Sequence, residues 1–194
     1  MRIFLAVFPP PAAQAAAHRV TARLRRAHDD VAWVRRENLH YTLRFMGELD
    51  LDEVSRVIDA ARAGASGHPV FSLRLGAGGA FPEARRARVL WLAAATGGDR
   101  LEALARSLED ALTGRGFDPA GRAFTPHLTL GRVRGGGQDW AARLAAAAPG
   151  AEGAEAPPFA VDRVAVVHST LASGGSIYRV RAEAPLAGRE GGRG

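Results

Sequence analysis

Two short stretches set the pattern of this chain. Around Leu39-His40-Tyr41-Thr42-Leu43 and Pro126-His127-Leu128-Thr129-Leu130, apolar and polar residues alternate, with aromatic or β-branched residues among them. That two-residue period predicts half-buried strands. Side chains at i and i+2 of a strand share a face. His40 and Thr42 therefore stand together opposite Tyr41 and Leu43, and His127 and Thr129 stand together opposite Leu128 and Leu130. Each strand offers an imidazole beside a hydroxyl, backed by residues that belong in a core.

The remaining elements follow from the same period rules. Residues 2–8 read as a buried strand and residues 11–28 as an Ala- and Arg-rich helix, with a short extended piece at 31–34. Gly47 is expected to break the first motif strand. Asp50 or Asp52 can cap a helix that runs to about residue 65. Residues 70–75 alternate as a strand, and the glycine-rich residues 76–80 read as a loop. A continuous apolar strand at 88–95 precedes a helix at 99–113, with Leu101, Leu104, Leu108 and Leu112 on one face and Gly114 and Gly116 at its end. After the second motif come a break at Gly135-Gly136-Gly137, a short helix at 139–147 and a Pro/Gly linker at 148–158. Strands at 159–168 and 176–183 form a hairpin around Gly174-Gly175.

The halves repeat. A spacing of 87 residues separates His40 from His127, and the same spacing separates Phe4 from Trp91. Each round reads strand, helix, His-x-Thr strand, helix, strand. The expectation is an α+β fold with a pseudo-twofold, bilobal arrangement: two mostly antiparallel sheets facing a central cleft, with helices on their outer faces. Residues 1–187 form one domain, with repeats at roughly 1–80 and 87–183, and 188–194 form a flexible tail.

Composition narrows the chemistry. The chain has no cysteine, which removes disulfides and thiolate metal sites and fits a reducing cytosol. All 26 basic side chains are arginine, and the net charge of +6 is consistent with a polyanionic partner. The first apolar run is too short for a secretory signal and is ended by Pro9-Pro10-Pro11. No stretch approaches the roughly 20 apolar residues of a membrane helix. A cytoplasmic protein, monomeric and without a membrane, is expected. Two imidazoles and two hydroxyls facing one cleft suit phosphoryl transfer without a metal. A zinc site is disfavoured because each motif brings a single histidine with no carboxylate or thiol beside it.

The paired motifs, with Gly47 after the first and Pro126 before the second, make the chain resemble the 2H phosphoesterase superfamily, and within it the RNA 2′,3′-cyclic phosphodiesterase, or 2′-5′ RNA ligase, family. The resemblance extends to an N-terminal RIFLAVF, the segment RVLWLA, and a terminal pattern of Ser169, Leu171, Gly174, Tyr178, Pro185 and Leu186. It implies a bilobal α+β fold with the active site in the central cleft. It implies hydrolysis of a terminal 2′,3′-cyclic phosphate to a 2′-phosphate without metal, nucleotide or other cofactor, with 2′-5′ ligation of RNA ends as the reverse of related chemistry. The implied partner is RNA ending in a 2′,3′-cyclic phosphate or a 2′-phosphate. His40 and His127 carry over as catalytic, and Thr42 and Thr129 as phosphate-binding.

The chemistry fits those residues. Displacement at phosphorus is roughly in line, so the base and the acid belong on opposite sides. An imidazole with an ordinary pKa of about 6.5 can serve in either role near neutral pH. Which histidine is which is open. Arg132 is a further phosphate ligand in the resemblance, although an ideal strand turns it away from His127 unless a bulge or turn at Gly131 intervenes. Phe45, Ser169 and Tyr178 are lesser substrate candidates; Phe45 is expected to point with Tyr41 and Leu43 into the core. Arg35, Arg36, Arg85, Arg86 and Arg88 form either an RNA track or a solvated basic surface. His168, in a third His-x-Thr-Leu run outside the repeat, reads as a strand-end residue; His18, His28 and His68 read as surface residues, and Trp33, Trp91 and Trp140 as packing. Two alternatives remain: another 2H activity, on ADP-ribose 1″,2″-cyclic phosphate or 2′-5′ oligonucleotides, and a non-catalytic RNA 3′-end-binding module.

Overall fold

A computed structural model describes residues 1–135, 138–149, 156–173 and 175–188. The expectations placed on Gly136, Gly137, Gly174, most of the linker and residues 189–194 lie outside the described residues. The elements run β1 (Arg2–Val7), α1 (Pro11–Leu24), β2 (Val31–Trp33), β3 (Tyr41–Glu48), α2 (Leu51–Ser66), β4 (Phe71–Phe81), β5 (Val89–Thr96), α3 (Gly98–Thr113), β6 (Leu128–Val133), α4 (Ala141–Ala147), β7 (Phe159–Val161), β8 (Arg163–Ala172) and β9 (Gly175–Pro185).

The α+β composition is as expected, but the strands form one continuous antiparallel sheet in place of two. Its order is β7-β4-β5-β6-β3-β1-β8-β9, with β2 added to β6. The reason lies at the centre, where β3 and β6 pair through Tyr41 and Leu128. That single registered pair joins what would otherwise be two sheets. Outward from it, the order is β6, β5, β4 on one side and β3, β1, β8 on the other.

One face of the sheet is covered by helices. The core there gathers Ile3, Leu5 and Val7 of β1 with the buried residues of all four helices. α3 lays the stripe Leu101, Leu104, Leu108 and Leu112 against it. α2 begins in a reciprocal capping box, Asp50 accepting from the Glu53 amide and Glu53 from the Asp50 amide. α2 crosses α3 at Gly64, where a β-carbon would lie 2.9 Å from the Leu108 backbone. The opposite face of β1 carries a smaller cluster of Phe4, Ala6, Ala165 and Val167, flanked by Phe8 and Tyr178.

Several boundaries differ from expectation. α1 ends at Leu24, because Asp29 folds back to accept a hydrogen bond from the Arg26 amide. Gly47 does not end β3; it sits inside the strand with φ of +84°, opposite Ile3. The stretch 76–80 is strand, part of β4, and not a loop. A β-carbon at Gly79 would fall 2.3 Å from the Trp91 ring of β5, so the missing side chain is what lets the indole lie over the strand. Residues 159–168 are two strands: β7 pairs with β4 and β8 with β1, divided at Asp162, whose carbonyl accepts from the Leu186 amide. Among the described residues, no helix is long and apolar enough to cross a membrane.

Candidate active site

The central pair fixes the site. Residues directly opposite in an antiparallel ladder present their side chains on the same face. Tyr41 and Leu128 are opposite each other and fully buried in the helix-side core. Their neighbours along each strand, His40 and Thr42 and likewise His127 and Thr129, therefore stand together on the open face. Continuing the antiparallel register brings each histidine toward the threonine of the other motif. Four candidate side chains from two segments 87 residues apart thus meet across one seam.

Each imidazole is held by a backbone carbonyl two residues earlier. His40 Nδ1–H donates to the Asn38 carbonyl and His127 Nδ1–H to the Thr125 carbonyl, both at 2.7 Å. A carbonyl can only accept, so Nδ1 carries the proton in both neutral rings. Nε2 is left to exchange protons at the open face. The Thr42 hydroxyl donates to His40 Nε2 at 2.9 Å.

Aromatic rings seat both imidazoles. His40 lies 4.9 Å from Phe4, 5.4 Å from Phe8 and 5.3 Å from Tyr178, measured between ring centroids. His127 lies 5.1 Å from Phe81 and 6.4 Å from Trp91. Phe4 and Trp91, the residues spaced like the histidines, thus each lie beside one of them. Burial, opposed in part by the Asn38 carbonyl, and then the positive charges of His127 and Arg132, hold His40 below the ordinary histidine pKa. In the free protein at neutral pH, His40 is therefore a neutral imidazole.

Two of the remaining candidates are redirected by the same device. The β1–β3 register shifts between Leu5 and Ala6, whose partners are Arg44 and Thr42; Leu43 is an extra residue. The β5–β6 register shifts between Leu90 and Trp91, whose partners are Gly131 and Thr129; Leu130 is an extra residue. One extra residue reverses the alternation beyond it. Past the first bulge, Phe45 stands opposite Phe4, on the open face, and is 50% exposed. This corrects its expected place in the core with Tyr41 and Leu43. Past the second, Arg132 stands opposite Val89, two residues from Trp91 on β5, so it shares the face of Thr129. Its charge is felt at His40.

Ser169 pairs with Tyr178 across β8 and β9, and the Tyr178 ring reaches Phe4 at 5.0 Å as well as His40. His168 pairs with Ile3, on the helix side. His68 is more than a surface residue: its Nε2 pairs with the Ser107 hydroxyl at 2.8 Å. Among the five arginines considered as a track, Arg36 donates to the Pro11 carbonyl, Arg85 pairs with Asp139 and Arg86 with Glu83. Among the described residues, no group of three or more His, Cys, Asp or Glu side chains could hold a metal. Sequence patterning missed Phe8, Phe81 and Asn38. Asn38 also donates through its side chain to the Ser176 carbonyl at 2.8 Å, tying the turn before the first motif to β9. No local periodicity carries that contact, because its partners are 138 residues apart.

The chain matches the sequence model of the 2′-5′ RNA ligase superfamily over residues 9–171. It belongs to that superfamily. Its curated relatives include a Thermotoga maritima protein, 32% identical over 97% of both chains, and a Methanothermobacter thermautotrophicus protein, 32% identical over 92% of this chain and 95% of the other. Both are named RNA 2′,3′-cyclic phosphodiesterase. The fold of this superfamily member superimposes on a Thermus thermophilus protein, TT0787, with a TM-score of 0.78 at 25% identity, covering 97% of this chain and 99% of the other. It also superimposes on E. coli LigT complexed with 3′-AMP with a TM-score of 0.72 at 24% identity, covering 95% and 97%.

Proposed function

We propose that this chain is an RNA 2′,3′-cyclic phosphodiesterase that opens a terminal 2′,3′-cyclic phosphate to a 2′-phosphomonoester. The observation that carries the proposal is the seam itself: two Nε2 atoms and two threonine hydroxyls on the open face of paired strands, with Arg132 on the same face. Membership of the superfamily and the names of the full-length relatives support it.

The geometry suits one displacement at phosphorus. Water forms the new P–O bond while the P–O3′ bond breaks. One imidazole Nε2 takes the proton that water loses, and the other gives its Nε2 proton to O3′. The two rings end with their charges exchanged and are reset through solvent. Their Nδ1 atoms take no part, because Asn38 and Thr125 hold them. Thr42 and Thr129 donate to the non-bridging oxygens as charge builds there. In the free site the Thr42 hydroxyl already points at His40 Nε2, so substrate must turn it toward phosphate. Arg132 adds a fixed positive charge that needs no proton transfer. Running in the same direction with an RNA 5′-hydroxyl in place of water, the same groups would form a 2′-5′ linkage.

The test is hydrolysis of a 2′,3′-cyclic phosphate in the presence of EDTA, with the product isomer identified. The 2′-phosphate is expected, with wild-type rates undiminished by chelation. His40→Ala and His127→Ala should each lose roughly 10² to 10⁴-fold in turnover while keeping the wild-type fold by circular dichroism. Wild-type turnover in either variant would end the paired mechanism. ADP-ribose 1″,2″-cyclic phosphate and 2′-5′ oligonucleotides belong in the same panel, since the seam alone would serve them too.

A further inference from the structure

Phe45 and Arg132 occupy matched places. Each lies five residues after its motif histidine, and each follows an extra residue placed three after that histidine, Leu43 or Leu130. Both are therefore turned from the helix side to the open face. One matched position carries a guanidinium, which suits a phosphate. The other carries a phenyl ring, which has nothing to offer a phosphate and costs free energy when left in water.

The ring is not beside the histidine. Phe45 stands opposite Phe4, and cross-strand neighbours lie roughly 5 Å apart at their β-carbons. Phe4 leans toward His40, with 4.9 Å between ring centroids. Phe45 instead lies under the Arg2 guanidinium, 5.1 Å from the ring centroid, at the end of β1 farthest from Phe8 and His40. It lies on β3, beside the seam and one strand inside the β1 ring Phe4, and is displaced from His40 along the strand. On the same open face, Val180 opposite Val167 on β9 is 51% exposed and Leu171 on β8 is 70% exposed. Exposed apolar side chains on this face thus occur on β3, where Arg2 covers Phe45, and again on β8 and β9.

From this we infer that Phe45 and Arg2 form a subsite for the nucleotide that precedes the cyclic end, with its base stacked on Phe45 and Arg2 beside its phosphate. Single-stranded RNA is held in this way, by aromatic faces for bases and cations for the backbone. The subsite commits the enzyme to oligonucleotide ends over free cyclic mononucleotides. It rests on the proposed activity, and the test separates the two.

The experiment compares kcat/KM for 2′,3′-cyclic AMP with kcat/KM for a short RNA ending in 2′,3′-cyclic adenosine. It also measures the affinities of 2′-AMP and of the same RNA ending in a 2′-phosphate, by calorimetric titration. Wild type should favour the RNA in both. Phe45→Ala should cut the RNA kcat/KM and affinity by roughly ten-fold and leave the mononucleotide values unchanged. Phe45→Trp should keep the RNA preference, and Arg2→Gln should weaken it and lower its salt dependence. Equal loss on both substrates in Phe45→Ala, or no loss on either, would overturn the subsite. A wild type that binds both ligands but hydrolyses neither would overturn the activity, while the two affinities would still decide the subsite.

Discussion

Replacing Gly79 by alanine should injure the site from beneath. The new β-carbon would lie 2.3 Å from Trp91 Cζ2, 2.4 Å from Cη2 and 2.8 Å from Cε2. Carbon atoms pack at about 3.5–4.0 Å, so the ring or the β4 backbone must shift by more than an ångström. Overpacking of this kind costs about 1–3 kcal/mol. For a chain of 194 residues that is roughly 2–12 °C in Tm. The indole cannot move without consequence, since it packs on Phe81 at 4.9 Å and both rings seat His127. Turnover should therefore fall further than stability explains, with the loss persisting at temperatures where the variant is fully folded.

The control is Trp91→Phe. The clashing atoms belong to the outer ring of the indole, which phenylalanine lacks, and the buried Trp91 Nε1 has no hydrogen-bond partner among the described residues that would be lost with it. In a double-mutant cycle, Gly79→Ala should be far less costly in the Trp91→Phe background. Thermal melts and cyclic-phosphate hydrolysis on the four proteins read this directly. A Gly79→Ala protein with the wild-type Tm and kcat, or strictly additive effects, would refute the contact and the account of how His127 is held.

Three further outcomes follow from the electrostatics and the ion pairs. By NMR titration His40 should have its midpoint below pH 6.5 in the free enzyme, and Arg132→Gln, which removes one of the repelling charges, should raise it. Because the unfolded chain binds that proton near 6.5 and the folded chain only at lower pH, stability should fall as pH drops below 6.5 toward the folded midpoint; His40→Gln should flatten that slope in urea melts. Asp29 holds Arg143 through both carboxylate oxygens, with the two side chains only 4% and 13% exposed, and Arg143 also donates to the Leu24 carbonyl and lies over Trp140. Asp29→Asn should cost roughly 3 kcal/mol by leaving that guanidinium buried without its charge partner, read as a lower urea midpoint.

Where sequence patterning succeeded and where it failed have physical causes in the same strands. The His-x-Thr alternation was legible because a strand has a two-residue period, and Tyr41 and Leu128 had to be buried. The α3 stripe and the Asp50 cap were legible because both are local. The stretch 76–80 reads as a loop because glycine is scarce in strands; at Gly79 it is needed by a ring on β5, 12 residues away along the chain. Two sheets were expected because the repeat predicts two lobes, and nothing local to either motif says that Tyr41 will pair with Leu128.

Phe45 and Arg132 show how far alternation can be carried. Counting by twos from the histidines sends both to the helix side. A single extra residue in each strand, Leu43 and Leu130, sends both to the open face. The bulge leaves no mark on the apolar pattern, since Leu43 and Leu130 are buried as any core residue would be. What the sequence does carry is the repeat. If one strand must bulge to bring an arginine to phosphate, a strand 87 residues earlier with the same spacing can bulge at the same place and bring its fifth residue to the same face. The parity rule fails twice in the same way, and the matched failure is the better guide: it places Phe45 on the open face by the same geometry that places Arg132 there.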